Sequence, residues 1–317
     1  MYANIYTIHL MYPKITASEM ASYLSVTVQA IHKKVKILKL STRKSANKTY
    51  FGHNAARAMI KKQPALKKIC VSVIKGGVGK TTITEALAIN ASLYGLRVLC
   101  IDVDQQANLT RGLNATEEAR NKPVMIDILS SNQSVSNGLI HVSEGLDLFP
   151  SRLDNVTLDN YLMTNRINLA TIFSNLFSPL HDNYDLIVID CPPTLASSVC
   201  ASILYSDTLL SPLNPDIYSY EGINIMSKEL DDLTYQFNSN TEWKILLNKF
   251  DTRTVISSEY IEEILEKPEY RNKVLKSIIR LSQEFPNAKK KQKSIFDSLK
   301  KSTAKEDVHA LTKELIS

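Results

Sequence analysis

A cluster of lysines, glycines and threonines between residues 75 and 82 has the composition of a phosphate-binding loop. The segment before it, residues 69–74, is apolar and rich in β-branched side chains, which predicts a buried strand. From Thr82 to about Tyr94 the apolar residues recur at helical spacing, which predicts a helix. The free N–H groups and the dipole of a helix N-terminus favour bound phosphate. The pattern therefore predicts a phosphate site formed by Lys75, Gly76, Gly77, Val78, Gly79, Lys80, Thr81 and Thr82.

Lys75 begins this glycine-rich loop (residues 75–79), and Lys80 follows it. Lys80 is expected to reach the β- and γ-phosphates of a nucleotide, and the Thr81 hydroxyl to ligate Mg²⁺. An ordinary phosphate loop has a glycine where this chain has Ile74, and the chain adds Lys75 next to it. The segment resembles the deviant Walker A form, K-G-G-x-G-K-T-T, of the ParA/MinD group of ATPases. The resemblance implies that Lys75 reaches across a dimer to the partner's nucleotide, so that Lys75 and Lys80 both serve catalysis. The alternative is a glycine-rich turn with incidental lysines.

Two aspartates, Asp102 and Asp104, lie at the end of a second predicted strand, residues 98–103. The stretch resembles the D-x-D-P-Q motif of the same family, with Gln105 in place of the proline. The resemblance implies that Asp104 positions or activates the attacking water and that Asp102 helps to hold Mg²⁺. The carboxyl end of a strand is also where α/β sheets bind ligands. An alternative for one of the two is that it only caps the helix that follows.

A third apolar strand, residues 185–190, ends at Asp190. An aspartate that closes a hydrophobic strand is the Walker B arrangement, which predicts that Asp190 holds Mg²⁺ through water. Pro192 and Pro193 are expected to stop the strand and stiffen the loop after it. The alternative is a buried strand that ends in a helix-capping acid.

Two later segments resemble parts of the family near the base and the dimer face. Residues 211–222 contain Pro215, and residues 243–254 contain Asn248. The resemblance implies that Pro215 and Asn248 contact the nucleotide, although a purely structural role stays open for both.

Charge is distributed unevenly along the 317 residues, although the net charge is only +6. Residues 1–68 hold 13 Lys or Arg and one acid, Glu19, so that they carry +12 and the remainder −6. A small basic module attached to a mildly acidic one predicts contact with a polyanion. The four cysteines lack metal-ligand spacing and are expected to be buried free thiols in a reducing cytoplasm. No apolar run is long enough to span a bilayer, so we expect no membrane attachment.

The basic module contains two short helical patterns. Thr16 and Glu19 have the spacing of a capping box at the start of the first helix. Thr27 is expected to cap the second helix, with Val28, Ile31 and Val35 facing inward. The pair resembles a helix-turn-helix whose second helix enters the DNA major groove. The residues that this helix would present to DNA are Gln29, His32, Lys33 and Lys34.

A basic polar stretch and a short strand, residues 49–52, follow the two helices. They predict a wing whose Arg43, Lys44 and Lys48 contact phosphates. Residues 54–61 are expected to form a closing helix, and residues 63–65 a linker. The alternative is a helical dimerisation or docking domain with a solvated basic face.

The C-terminal part adds a second basic region. Residues 277–296 resemble the ParA C-terminal region, in which I-R is followed by an alanine and then by S-I-F. Members of the family use basic residues here to bind DNA without sequence preference. The candidates are Arg280, Lys289, Lys290, Lys291 and Lys293, which as phosphate contacts would be sensitive to salt. The alternative is a solvated lysine run.

These patterns predict an α/β fold: a twisted, mostly parallel P-loop sheet flanked by helices in residues 67–317, preceded by a small winged helix-turn-helix in residues 1–66. The resemblance implies an ATPase for plasmid or chromosome partitioning that uses ATP and Mg²⁺, dimerises with ATP and coats nucleoid DNA in the cytoplasm. A ParB-like partner would stimulate hydrolysis, and the ADP or apo form would repress its own operator.

Two other functions stay open. One is a MinD-like positioning ATPase, although residues 307–316 lack the basic amphipathic character of a membrane-seeking helix. The other is a nucleotide-switched regulator without a segregation role.

Overall fold

A computed structural model describes residues 12–45, 47–60, 64–251 and 253–316. Its strands are β1 (Ile15–Thr16), β2 (Arg43–Ser45), β3 (Lys48–Phe51), β4 (Lys67–Val71), β5 (Val98–Asp102), β6 (Ile140–Ser143), β7 (Leu146–Phe149), β8 (Leu186–Asp190), β9 (Thr208–Leu213), β10 (Glu242–Phe250) and β11 (Val274–Arg280).

The helices alternate with these strands along most of the chain, as expected for an α/β protein. They are α1 (Ala17–Tyr23), α2 (Val28–Ile37), α3 (His53–Met59), α4 (Lys80–Leu93), α5 (Asn108–Gly112), α6 (Thr116–Ala119), α7 (Met125–Ser131), α8 (Leu158–Thr164), α9 (Ile172–Phe177), α10 (Ser197–Tyr205), α11 (Ile217–Phe237), α12 (Val255–Glu266), α13 (Pro268–Arg271), α14 (Glu284–Lys290) and α15 (Thr303–Ile316). Short 3₁₀ turns cover Val135–Gly138, Leu153–Thr157, Ser178–Asn183 and Ile295–Asp297.

The central sheet has eight strands in the order β11-β10-β9-β4-β8-β5-β7-β6 within the described residues. Its pairs are parallel except for β6 with β7, which confirms the mostly parallel sheet. Every residue of β5, β8 and β9 is buried, because helices cover both faces of a parallel sheet and favour continuous apolar runs. The register pairs Val71 with Asp190 and Asp190 with Asp102, so the ends of β4, β8 and β5 meet at one edge.

Two element boundaries near that edge differ from the prediction. Strand β4 ends at Val71, three residues earlier than predicted, and α4 starts at Lys80, two residues earlier than predicted. Gly79 is the N-cap and has a φ of +93°, a left-handed conformation that favours glycine. The chain therefore enters the helix directly from the glycine-rich loop.

The predicted order of N-terminal elements is confirmed at the level of secondary structure. In the capping box of α1, the Thr16 amide donates to Glu19 Oε2 at 2.7 Å and the Glu19 amide donates to Thr16 Oγ1 at 3.2 Å. Thr27 Oγ1 accepts from the Ala30 amide and starts α2. β2 and β3 pair as an antiparallel hairpin, with β1 on the other side of β3. We call residues 43–51 the basic hairpin.

The N-terminal elements share a hydrophobic core with the rest of the chain. Met20 and Ile31 belong to the same buried cluster as Leu87 of α4 and Leu311 of α15. The Tyr23 and Tyr94 rings stack at 3.8 Å between centroids. Because these elements pack tightly against the rest of the chain, the domain boundary at residue 66 stays a prediction. The predicted linker lies partly outside the described residues.

The interior also contains the four cysteines, which are free and buried as predicted: Cys70, Cys100, Cys191 and Cys200. Within the described ranges, no helix combines the length and apolar character that crossing a membrane requires.

Candidate nucleotide-binding site

The glycine-rich loop lies at the carboxyl edge of the sheet, between β4 and α4. Gly77 has a φ of +75°, and like Gly79 it adopts a backbone conformation that side chains disfavour. Gly76 and Gly77 are exposed, whereas Val78 is buried and anchors the loop. The N-terminus of the 14-residue helix α4 thus opens onto this edge, where its amide groups and dipole attract an anion.

Lys80 is buried beneath the loop. Its Nζ donates to the carbonyl oxygens of Lys75 at 2.7 Å and Val73 at 3.3 Å. Burial lowers the pKa of Lys80, while nearby Asp190 and Asp104 oppose that change by stabilising the charged form. The ammonium group is therefore held inside the curve of the loop and is suited to bind phosphate oxygens.

Asp190 accepts hydrogen bonds from two hydroxyl groups at the start of α4. Thr81 Oγ1 donates to Asp190 Oδ2 at 2.7 Å, and Thr84 Oγ1 donates to Oδ1 at 3.3 Å. Burial raises the pKa of Asp190 well above its usual range, and the neighbouring carboxyl of Asp102 raises it further. A divalent cation would relieve this repulsion, because it stabilises the ionised carboxylate.

The two carboxylate oxygens of Asp102 have different surroundings. Its Oδ2 accepts hydrogen bonds from the Thr110 amide at 2.9 Å and the Thr110 hydroxyl at 2.7 Å, in the first turn of α5. Its Oδ1 is buried and has no hydrogen-bond partner among the described residues. Burial raises the pKa of Asp102 to about 7. The helix-capping alternative thus holds for one oxygen, while the other oxygen is an unsatisfied acceptor beside Asp190.

Asp104 lies two residues beyond the end of β5 and is buried. Its Oδ1 accepts from the Gln106 amide at 2.9 Å, which orients the carboxylate within the turn that precedes α5. Its charge acts on Lys80 as well as on Asp102 and Asp190. The three aspartates that the sequence singled out therefore interact electrostatically near the start of α4.

Lys75, in contrast, pairs with an acid outside that group. Its Nζ forms an ion pair with Asp216 in the turn that joins β9 to α11, next to the half-buried Pro215. The sequence pattern pointed to Pro215 and not to Asp216. The acid one residue beyond the proline was the available signal, and nothing local linked it to a lysine 141 positions away.

The outer side of the glycine-rich loop contacts the end of β10. Asn248 Nδ2 donates to the Val78 carbonyl oxygen at 2.6 Å, and Lys249 Nζ donates to the Gly77 carbonyl oxygen at 2.6 Å. No sequence pattern pointed to Lys249, although it directly follows the candidate Asn248. A cavity of about 370 Å³ opens here, with Gly79, Thr82, Asn248 and Lys249 in its lining. It is large enough for part of a nucleotide beside the phosphate edge.

The candidates for DNA contact in α2 and the basic hairpin are mostly accessible. Gln29, His32, Lys33, Arg43 and Lys44 are exposed. The remaining two make contacts within the chain: Lys34 Nζ donates to the Met59 carbonyl oxygen at 3.1 Å, and Lys48 Nζ to the Leu299 carbonyl oxygen at 2.7 Å.

The C-terminal candidates divide in the same way. Lys289, Lys290, Lys291 and Lys293 are exposed and form what we call the lysine run. Arg280 instead pairs with Asp307, its Nε lying 3.0 Å from the carboxylate oxygens.

The basic hairpin and the lysine run are joined through residues 294–299. Besides the contact of Lys48 with Leu299, the Lys14 amide donates to the Phe296 carbonyl oxygen at 3.1 Å and the Tyr12 amide donates to Asp297 Oδ1 at 3.0 Å. Burial raises the pKa of Asp297, and the charges of Lys14 and Lys293 act on it in the opposite sense. Basic residues from both ends of the sequence therefore surround one segment.

The chain is similar to proteins of a known family. The sequence profile described as an AAA domain matches residues 66–245, over half of the chain. The sporulation initiation inhibitor protein Soj of Bacillus subtilis is 30% identical over 215 residues, which cover 67% of this chain and 83% of Soj. The chromosome partitioning protein ParA of Myxococcus xanthus is 31% identical over 199 residues, which cover 62% of this chain and 69% of that protein.

Solved structures share the fold. A plasmid partition protein from Borrelia burgdorferi bound to AMPPNP gives a TM-score of 0.64 at 23% identity, over 78% of this chain and 97% of that one. A Cyanothece McdA–ATP complex gives 0.66 at 20% identity, over 72% of this chain and 88% of that one. From the matched profile and the Soj and ParA relatives, the chain belongs to the ParA/Soj family of AAA-domain proteins.

Proposed function

We propose that this chain is a ParA-type ATPase that partitions DNA, with a deviant Walker A loop that binds ATP and Mg²⁺. The observation that carries the proposal is the convergence of Lys80, the Thr81–Asp190 pair and Asp104 at the start of α4. The names of relatives support the segregation role, since one is a chromosome partitioning protein and another a virulence plasmid ParA family protein.

The residues at this edge fit a magnesium nucleotide. Mg²⁺ is usually held by one or two carboxylates together with phosphate oxygens and water. Thr81 and Asp190 supply a hydroxyl and a carboxylate 2.7 Å apart, and Asp102 Oδ1 is an unsatisfied acceptor among the described residues. When bound, the cation would neutralise charge on the phosphates. Lys80 would hold the β- and γ-phosphates, and Asp104 would orient the attacking water.

The proposed dimerisation rests on the role that the family resemblance gives to Lys75. The family resemblance assigns this lysine to the partner subunit's nucleotide, and its side chain here pairs with Asp216 at the surface of the same subunit. Formation of the ATP-bound homodimer therefore requires Lys75 to leave Asp216.

DNA is the proposed polyanion. The exposed face of α2, the basic hairpin and the lysine run would bind phosphates. The connection of the basic hairpin with the lysine run through residues 294–299 favours one extended surface for these two. Residues 1–66 would act as a winged helix-turn-helix domain on the operator in the ADP or apo state, and residues 67–317 as the ATPase domain. The ATP-bound dimer would coat nucleoid DNA in the cytoplasm until a ParB-like protein stimulates hydrolysis.

Co-sedimentation with arbitrary duplex DNA tests the proposal, using wild type and Lys80→Ala with ATP and with ADP. We expect only ATP-bound wild type to coat the DNA. Hydrolysis would be measured in the presence of DNA and the partner, with Asp104→Ala as the comparison. Turnover that does not depend on Asp104 would reject the ATPase mechanism, and ATP-independent coating would favour a regulator without a segregation role.

A further inference from the structure

Two consecutive residues of β10, Asn248 and Lys249, contact consecutive carbonyl groups of the glycine-rich loop. Asn248 Nδ2 lies 2.6 Å from the Val78 oxygen, and Lys249 Nζ lies 2.6 Å from the Gly77 oxygen. The fit is close, because a Cβ on Gly79 would lie 2.5 Å from Asn248 Nδ2.

A regular strand could not make both contacts. Successive side chains of a strand point to opposite faces, so neighbours cannot both reach one loop. Here Lys249 has a φ of +54°, and the pairing of β10 with β11 shifts register between Asn248 and Phe250. This irregularity in the strand allows both side chains to reach the loop, with Lys249 in a left-handed backbone conformation. Such strain persists where the surrounding structure imposes it, often at functional sites.

The contacts constrain the direction of the loop's amide groups. In a trans peptide the C=O and N–H bonds point in opposite directions. A Gly77 carbonyl held toward β10 turns the Val78 amide away from β10, and a held Val78 carbonyl does the same for the Gly79 amide. Successive amides directed to one side form an anion-binding concavity.

We propose that Asn248 and Lys249 are positioning residues that keep the glycine-rich loop in its phosphate-binding conformation before the nucleotide arrives. Their ligand class is the triphosphate group, whatever base is attached to it. This inference rests on the proposed nucleotide function and deepens it. It differs from the sequence-based expectation, in which Asn248 contacts the nucleotide itself.

Binding of Mg·ATP and of magnesium tripolyphosphate to the full-length chain tests the inference by calorimetry. We expect Asn248→Ala and Lys249→Met each to lower the affinity for both ligands by a similar factor. That factor is about tenfold for the loss of a hydrogen bond to a charged or strongly oriented group. The matched control is Lys244→Met, on the same strand, whose lysine pairs with Glu242 at 2.5 Å far along β10 from the loop. It should bind both ligands as wild type does.

A second variant separates positioning from stability. Lys249→Gly removes the ammonium group but suits a φ of +54°. We expect the ligand-free Lys249→Gly protein to unfold at the same or a higher temperature, while its affinity for tripolyphosphate falls. Lys249→Arg, which keeps a donor, should recover part of the affinity.

Three results would overturn the inference. If ATP binding weakens and tripolyphosphate binding does not, the two residues contact the base or ribose. If the effect of Lys249→Met disappears at high salt and Asn248→Ala has none, Lys249 acts only as a surface charge. If wild type binds neither ligand, the nucleotide function itself fails. That result is distinct from the first two, in which wild-type binding is intact.

Discussion

Removing the carboxylate that pairs with Lys75 should promote ATP-dependent dimerisation. If Lys75 must leave Asp216 to reach a partner subunit, the ion pair opposes association, and Asp216→Asn weakens that opposition. The two side chains are 21% and 37% exposed, which makes the pair a partly solvated one.

The magnitude follows from the number of pairs. A partly exposed ion pair stabilises by about 1 kcal/mol at most, so breaking one in each subunit costs a dimer about 2 kcal/mol. Releasing that cost corresponds to roughly a 30-fold tighter dimer. High salt should shrink the difference, because it screens the pair in wild type.

Sedimentation velocity with a non-hydrolysable ATP analogue measures the dimer dissociation constant. Asp207→Asn is the matched control, because Asp207 pairs with Lys68 at 3.0 Å with side chains that are 46% and 21% exposed, away from the glycine-rich loop. A dimer constant for Asp216→Asn within about threefold of both wild type and this control, a difference under about 0.7 kcal/mol, would refute the reasoning. Weaker dimerisation would show instead that Asp216 serves the dimer.

Three further predictions concern stability and DNA binding. Arg57→Ala removes a 2.6 Å contact with buried Asp185 and should lower the free energy of unfolding in urea by about 2 kcal/mol. The exposed control Arg120→Ala should lower it by under about 0.5 kcal/mol, and equal losses would contradict the prediction. Burial raises the pKa of Asp102 from 3.8 to about 7, so the wild type should lose stability relative to Asp102→Asn as pH rises from about 4 to about 7, and the loss should level off above that range. Thermal unfolding measured across pH would contradict this if the difference in unfolding temperature between the two proteins stayed constant. Replacing three lysines of the lysine run with glutamine should reduce the slope of log K against log salt by roughly 0.9 per lost phosphate contact, and an unchanged slope in fluorescence anisotropy would exclude these lysines from the DNA surface.

Local features of the chain were predictable from the residues alone. The capping box of Thr16 and Glu19 involves atoms three residues apart, and its bonds form as expected. The apolar runs that became β4, β5 and β8 and the glycines before α4 also depend only on near neighbours. Because parallel strands end at a common edge, their terminal aspartates could be expected to meet there.

Residues that act across long sequence separations were not predictable in this way. Asp216 pairs with Lys75 from 141 positions away, and Lys249 reaches Gly77 from 172 positions away. The left-handed conformation of Lys249 depends on a register shift against β11, which no composition signal encodes. The packing of the N-terminal helices against α4 and α15 likewise joins segments that are far apart in the sequence.

What the sequence by itself determined is the chemistry at the start of α4, because a strand, a glycine-rich loop and a helix are contiguous there and carry their own signals. What only the tertiary structure decided is how that chemistry is held: which acid pairs with Lys75, which side chains fix the loop carbonyls, and how the basic hairpin meets the lysine run. These contacts join segments whose mutual position depends on the packing of the whole sheet and its helices.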